Sequence, residues 1–289
     1  MDQGILLAGG AGTRLGPLTT ATNKHFLPIY DKPLIYYSLT TMILAGIKKI
    51  VLVSTLDSLN LYKNLLGDGS QWGIEILFAV QEKPEGIPQA IIIAKDKLDM
   101  SKSFLLALGD NLLYGAGTGR EMRRTSNSEI AEIFCFEVAD PSSFGVAEVS
   151  NDNYVVSLIE KPTEPKSNLA IVGFYCLPAV AFELATTLKK SQRGEFEIIE
   201  LLNIFRERDC LKANILSRGT AWLDAGTVEG LLESSQFVRT LQNRQGLLVG
   251  SPDEAAWNAG NISKDQLVEN GVKHRNSEYG TLLSKLINK

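Results

Sequence analysis

The strongest constraint on the fold is an alternation running through the first 130 residues. An apolar run at 4–8 ends in Gly9-Gly10-Ala11-Gly12, and Ile35, Leu39, Met42 and Ile43 then recur at helical spacing before Gly46 as a stop signal. "KKIVLVST" (48–55) is a β-branched run of the kind buried on both faces of a sheet. "IEILFAV" (74–80) predicts another strand, "GIPQAIIIAKDKL" (86–98) a helix and "FLLALGD" (104–110) a further strand. Strand–helix–strand repetition predicts an α/β chain with a mostly parallel sheet and helices on both faces. Ligands of such sheets sit beyond the carboxyl ends of the strands, which makes the glycine loop and "LGDN" candidate partners at one edge.

After about residue 130 the rhythm changes. "EIAEIFCFEV", "FGVAEVS", "YVVSLIEKP" and "LAIVGFYCL" predict strands separated by polar turns, a β-rich section facing a sugar or other ligand. Helices are expected near 179–189 and 196–208, a strand near 212–217, and a largely helical section from about 228. No repeat, low-complexity tract or long linker divides the chain. The expectation is one compact unit: a core over 1–227, with halves of about 1–130 and 131–227, and an appended helical section over 228–289.

Charge and composition narrow the function. A formal charge of −4 over 289 residues argues against a nucleic-acid partner, so local cations and backbone amides must hold any anionic ligand. No apolar run reaches membrane-spanning length, and the N-terminal run lacks the basic region of a signal peptide. Cys135, Cys176 and Cys210 are widely spaced in apolar surroundings and read as structural thiols of a reducing cytosol. With only His25 and His274 present, histidine-rich metal sites and histidine-rich acid–base chemistry are not expected.

The glycine loop does not fit the dinucleotide fingerprint, whose glycines fall at the first, third and sixth positions, and no Gly-Lys-Ser/Thr follows as in a P-loop. Two readings remain open on the loop alone. Its backbone amides cradle a polyphosphate or a base while Arg14 and Lys24 offset charge, or it is a tight turn with a solvated arginine. Asp110 by itself reads equally well as a helix-capping residue.

The longer pattern is more specific. "LAGGAGTRLGPLT" followed by "NKHFLPIYDKP" resembles the signature of the sugar-1-phosphate nucleotidyltransferases, in particular the glucose-1-phosphate thymidylyltransferases. "LLGDGSQWG", "QEKPEGIPQA", "LGDNLLYG", "FGVAEV", "IEKPTEPKSN", "RGEFEI" and "AWLDAGT" follow in family order over nearly the whole chain. The resemblance implies a Rossmann-like core, dTTP and a hexose 1-phosphate as substrates, Mg2+ as cofactor, and a cytoplasmic homotetramer with neither nucleic-acid nor membrane partner. It places Leu7, Ala8, Gly9, Gly10, Gly12, Thr13 and Asp110 around the nucleotide, with Gln81 and Gly86 reading the base. Arg14 and Lys24 fall on the triphosphate, Lys161 on the phosphate of the sugar 1-phosphate, and Asp110 and Asp224 on the metal. Gly145, Glu160 and Val172 fall beside the hexose, although Val172 reads equally as strand core. Gln89 reads as a solvated helix residue and stays outside the site.

Three departures from the family pattern fall in the acceptor region: Ile171-Val172-Gly173 for "VTG", Asp224-Ala225-Gly226 for "DTG", and Ile198-Ile199-Glu200 for "ITD". The expectation is a sugar preference shifted from plain glucose 1-phosphate. The helical tail resembles that of the long bacterial forms, whose second, regulatory nucleotide site would be lined here by Tyr114, Gly115, Arg218, Val249 and Glu254. Gly119 and Asn258 stand where relatives carry histidine and arginine, which would weaken nucleotide binding there. Within the class, the alternative is an enzyme using UTP or several pyrimidine triphosphates. Outside it, the alternative is a non-catalytic nucleotide-sugar binder, which would have no use for Arg14, Lys24, Asp110, Lys161 and Asp224 together.

Overall fold

A computed structural model describes residues 1–10, 12–123 and 129–287. The first half runs β1 (Gln3–Leu7), β2 (Pro28–Ile29), β3 (Lys32–Pro33), α1 (Ile35–Leu44), β4 (Lys49–Ser54), α2 (Leu56–Leu66), β5 (Glu75–Val80), α3 (Ile87–Ala94), β6 (Phe104–Leu108), β7 (Asn111–Tyr114) and α4 (Arg120–Arg123). The second runs β8 (Ala131–Glu137), β9 (Gly145–Val149), β10 (Val155–Glu160), β11 (Leu169–Leu177), α5 (Ala181–Thr187), α6 (Ile198–Glu207), β12 (Leu211–Ile215) and β13 (Ala221–Asp224). Helices α7 (Val228–Gln245), α8 (Pro252–Asn258), α9 (Lys264–Lys273) and α10 (Glu278–Ile287) follow.

One nine-stranded sheet is ordered β10-β9-β11-β6-β1-β4-β5, with β8 bonded to β11 and β12 to β8. The strands β6-β1-β4-β5 are parallel, with Leu6 beside Leu52 and Ala107. Strand β11 runs antiparallel to β6, and here the chain switches from the parallel half to the β-rich half. The β-rich section is therefore a continuation of the same sheet rather than a separate layer. Side chains alternate across it as strand geometry requires. Ile5 joins a core with Val51, Phe104, Phe182 and Phe205 under α3, α5 and α6, while Leu6 joins Leu52, Leu39, Tyr62 and Phe174 on the opposite face.

Two features position the site. Strands β13 and β7 form an antiparallel ribbon off the main sheet, pairing Asp224 with Asn111. The C-terminal helices dock through buried polar contacts. Asp253, 4% exposed, accepts hydrogen bonds from Trp72 Nε1 at 3.1 Å, Asn270 Nδ2 at 2.8 Å and Tyr279 OH at 2.6 Å. Buried Lys32 pairs with Asp31 and donates to Gln242 Oε1 of α7 at 3.0 Å. Among the described residues no helix is long and apolar enough to cross a membrane. Cys135, Cys176 and Cys210 form no disulfide, and burial pushes the Cys135 thiol up to about 12.

Candidate active site

The loops leaving the parallel strands are held together just beyond the sheet. Ala8 N donates to Val53 O at 2.8 Å, Gly109 N to Leu7 O at 2.9 Å, and Gln81 N to Ser54 O at 2.8 Å. The Ala8 carbonyl accepts from Ser54 Oγ at 2.9 Å, Asn23 Nδ2 at 3.1 Å and Tyr62 OH at 3.1 Å, which fixes the exit of β1. Gly12, at φ 61°, opens a 3₁₀ turn over Thr13–Leu15 that carries Arg14. Lys24 begins a second 3₁₀ turn, Lys24–Phe26, capped by Asn23 Oδ1, which accepts from His25 N at 3.1 Å. Buried His25 sits close to Asn23 Oδ1 through Nδ1 at 2.6 Å. Burial, reinforced by the Lys24 charge, lowers its pKa to about 3, so the ring is neutral.

The two aspartates, far apart in sequence, meet through the β7–β13 ribbon. Ala225 N approaches the Asp110 carbonyl at 3.4 Å, and Asp224 faces the residue after Asp110 across the ribbon. Asp110 is paired with Lys24 and accepts from Asn111 Nδ2 at 3.0 Å. Burial would raise its pKa, but the Lys24 charge and hydrogen bond outweigh that and hold it at about 2. Asp224 is raised by burial and by the negative charge of Asp110, against the pull of Lys24 and Arg14. Two carboxylates that disfavour each other's charge in a half-closed cleft form a hard oxygen donor set that fits Mg2+. No group of three or more His, Cys, Asp or Glu residues among those described makes a full protein cage, which suits an ion completing its shell with phosphate and water.

Arg14, Asp110, Asp224, Glu160 and Lys161 all line one cavity of about 270 Å³ between the parallel edge and β9–β11. Gly226 lies against the arginine, since a Cβ there would stand 2.9 Å from Arg14 Nη2 and 3.0 Å from Asp224 Oδ1. Glu160 is paired with Gly145 across β10 and β9, and its Oε1 lies 3.5 Å from Lys161 Nζ. Lys161 itself adopts φ 46°, its N donates to Phe144 O at 2.9 Å, and its side chain is half exposed. The cleft therefore combines the cations of Arg14 and Lys161 with the carboxylates of Asp110 and Asp224.

The Nucleotidyl transferase family model matches residues 3–240. The glucose-1-phosphate thymidylyltransferase of Mycolicibacterium smegmatis is 46% identical over 287 residues, covering 99% of both chains. That of Neisseria meningitidis is 41% identical, covering 99% of this chain and all of the relative. Among solved structures, a Bacillus anthracis protein crystallised with sucrose superposes with a TM-score of 0.76 at 33% identity, over 83% of this chain and 96% of that one. A UDP-glucose pyrophosphorylase complexed with UDP-glucose gives 0.72 at 25% identity, over 83% and 99%. The chain belongs to the nucleotidyl transferase family, in its glucose-1-phosphate thymidylyltransferase branch.

Against the family signature, the structure gathers Arg14, Lys24, Asp110, Asp224, Gly86, Gly145, Glu160 and Lys161 at one cleft or directly beside it. Leu7 ends β1, and Ala8, Gly9, Gly10 and Thr13 stand on the adjoining loop and turn. Gly86, at φ 105°, bridges Phe196 so closely that a Cβ would lie 2.0 Å from its carbonyl oxygen. That contact carries the "RGEFEI" segment onto the cleft. Val172 takes the strand-core alternative. Its side chain is wholly buried in the core, while Ile171 and Gly173 line the cavity, so replacing threonine by Val172 removes no side-chain hydroxyl from the sugar cleft. Ala225 is likewise packed into a core cluster.

A second cavity, of about 170 Å³, is lined by Tyr114, Gly115 and Glu254 together with Asn258. Arg218 and Val249 do not line it, and the Val249 side chain is core. Gly119 adopts φ 81°, and a Cβ there would fall 2.5 Å from Leu44 Cβ, so this backbone leaves no room for a side chain.

Sequence reasoning missed Asn111, Trp222 and Gln89. Buried Asn111 accepts from Trp222 Nε1 at 2.7 Å and lies beside Gly173, tying the ribbon to β11. The adjacency of Asn111 to Asp110 was the available signal. For Gln89 it was the four-residue helical spacing from Glu85.

Proposed function

We propose that this chain transfers a thymidylyl group from dTTP to glucose 1-phosphate. A phosphate oxygen of the sugar attacks the α-phosphorus in line, the bond from that phosphorus to the bridging oxygen of the β-phosphate breaks, and pyrophosphate leaves with the electron pair. The attacking phosphate is already anionic at neutral pH, so no general base is required and the work is positioning and charge neutralisation. Arg14 holds the β- and γ-phosphates and offsets charge on the departing pyrophosphate, Lys24 supports the same phosphates, and Lys161 holds the incoming sugar phosphate. Glu160 accepts hydrogen bonds from sugar hydroxyls, and Gln81 and Gly86 form the base-reading side. Asp110 and Asp224 would hold Mg2+, which when bound supplies positive charge to the phosphate oxygens.

The observation that carries this reading is the convergence of Arg14, Lys161, Asp110 and Asp224 on one cavity. Incubation with each nucleoside triphosphate, glucose 1-phosphate and magnesium, followed by pyrophosphate detection, tests it. Release is expected with dTTP, dependent on the sugar phosphate, and Asp110→Asn abolishes it with the fold intact. A pure nucleotide-sugar binder releases none. By the same resemblance the working form is a cytoplasmic homotetramer, tested by light scattering. The second cavity is the place for feedback by a nucleotide sugar, tested by whether saturation binding gives one site per chain or two.

A further inference from the structure

Gln81 sits at the head of a hydrogen-bonded chain in which each group dictates the orientation of the next. The chain begins with a backbone group whose polarity is invariant: Glu85 N–H donates to Gln89 Oε1 at 3.0 Å. On the other side of the same amide, Gln89 Nε2 donates to Glu85 Oε2 at 3.1 Å, and Lys190 pairs with the remaining carboxylate oxygen, Oε1. Turning the Gln89 amide over would set an NH2 against an N–H and an oxygen against a carboxylate. Its oxygen therefore points to Gln81, whose Nε2 donates to it at 2.6 Å. Turning the Gln81 amide would in turn set oxygen against oxygen. Gln81 is 1% exposed, and its Oε1 accepts no hydrogen bond among the described residues. That oxygen lies under Gly9, where a Cβ would come within 2.5 Å of it.

We infer that Gln89 is a specificity-determining positioning residue: through Glu85 it locks the Gln81 amide with its oxygen toward the nucleotide, selecting bases that carry a proton on N3 and rejecting cytosine. The inference rests on the reading of Gln81 as the base-facing side chain. Thymine and uracil offer an N3–H donor beside a carbonyl acceptor, which matches the Gln81 oxygen and its second N–H. Cytosine offers an unprotonated N3 beside an amino group, the reverse order, and accepting it requires the amide flip that Gln89 opposes. A site whose buried polar groups are oriented for one hydrogen-bond pattern discriminates strongly against an analogue that leaves them unpaired.

The wild-type enzyme is tested first with dTTP, dUTP, dCTP and 5-methyl-dCTP at fixed glucose 1-phosphate and magnesium, with kcat/KM read from pyrophosphate release. 5-Methyl-dCTP keeps the thymine methyl group and changes only the hydrogen-bonding edge. It is expected to be disfavoured against dTTP by about the factor that dCTP is, at least ~100-fold. Equal use of 5-methyl-dCTP and dTTP overturns the inference without touching the transferase reading, whereas absence of release from dTTP overturns that reading itself. Gln89→Leu removes the lock and is expected to lower the dTTP-to-dCTP ratio about tenfold or more. Gln89→Glu combined with Glu85→Gln exchanges the amide and the carboxylate, still accepts from the residue 85 N–H and from Gln81 Nε2, and is expected to hold that ratio within about threefold. A ratio unchanged in Gln89→Leu, or lost equally in both variants, contradicts the positioning role.

Discussion

Gly86→Ala probes the junction where the nucleotide side of the cleft meets the sugar side. Gly86 sits at φ 105°, where a side chain costs about 1–3 kcal/mol in backbone strain. The added Cβ would fall 2.0 Å from the Phe196 carbonyl oxygen, so the two segments must part by roughly 1.4 Å to restore an ordinary carbon–oxygen contact. That separation strains the hydrogen bond from Phe196 N to Glu85 O, now 2.8 Å long and worth about 1 kcal/mol. The sum, about 2–4 kcal/mol, corresponds to a drop of roughly 3–7 °C in unfolding midpoint for a chain of this size. Because Gly86, Phe196 and Ile198 all line the cavity, the same displacement should lower kcat/KM on the order of 100-fold. Gly194→Ala is the control: it adopts φ 77° but has no atom within 4 Å of its Cβ position, so it carries the backbone penalty alone. Calorimetry and pyrophosphate-release kinetics on both variants decide the matter. A Gly86→Ala enzyme matching Gly194→Ala in midpoint and wild type in kcat/KM would refute the reasoning.

Two further outcomes follow from the electrostatics. His25 has a folded pKa near 3 against an ordinary 6.5, so between those values only the unfolded chain binds its proton and stability falls as pH falls. From pH 6.5 to pH 5 this amounts to about 2 kcal/mol, so urea titrations of His25→Gln should show an acid-induced loss smaller by that amount, and parallel curves would contradict it. At the carboxylate pair, Mn2+ titration followed by electron paramagnetic resonance should show binding that weakens at least about tenfold in Asp224→Asn. Undiminished binding would remove Asp224 from the metal site.

What could be read from the sequence, and what could not, divides along physical lines. Runs such as "KKIVLVST" and "FLLALGD" announce strands because burial on both faces demands continuous apolar residues, and they became β4 and β6 within a residue or two. Helix α2 was overlooked although Leu59, Tyr62 and Leu66 recur at helical spacing on its buried face. The β7–β13 ribbon was hidden for another reason. Its strands are four residues each, and every residue of β13 is only partly buried, so neither length nor alternation marks it. Asp110 and Asp224 were therefore paired only through family resemblance, and the ribbon supplies the physical cause. Val172 was ambiguous because strand alternation across the irregular register between Ile171 and Tyr175 cannot be counted from sequence. Gln89 was set aside because a polar helix residue is usually solvated. Only the fold reveals that its partners are a backbone N–H and the Gln81 amide.

Nucleotidyl transfer by two anions brought together in the Arg14–Lys161 cleft is tested most directly by following the α-phosphorus. With dTTP labelled at that atom, excess glucose 1-phosphate and inorganic pyrophosphatase to draw off the pyrophosphate, the label should pass into a dTDP-sugar, none should enter phosphate, and Asp110→Asn should stop the transfer. Label recovered as dTMP or left in dTTP under those conditions would contradict the account.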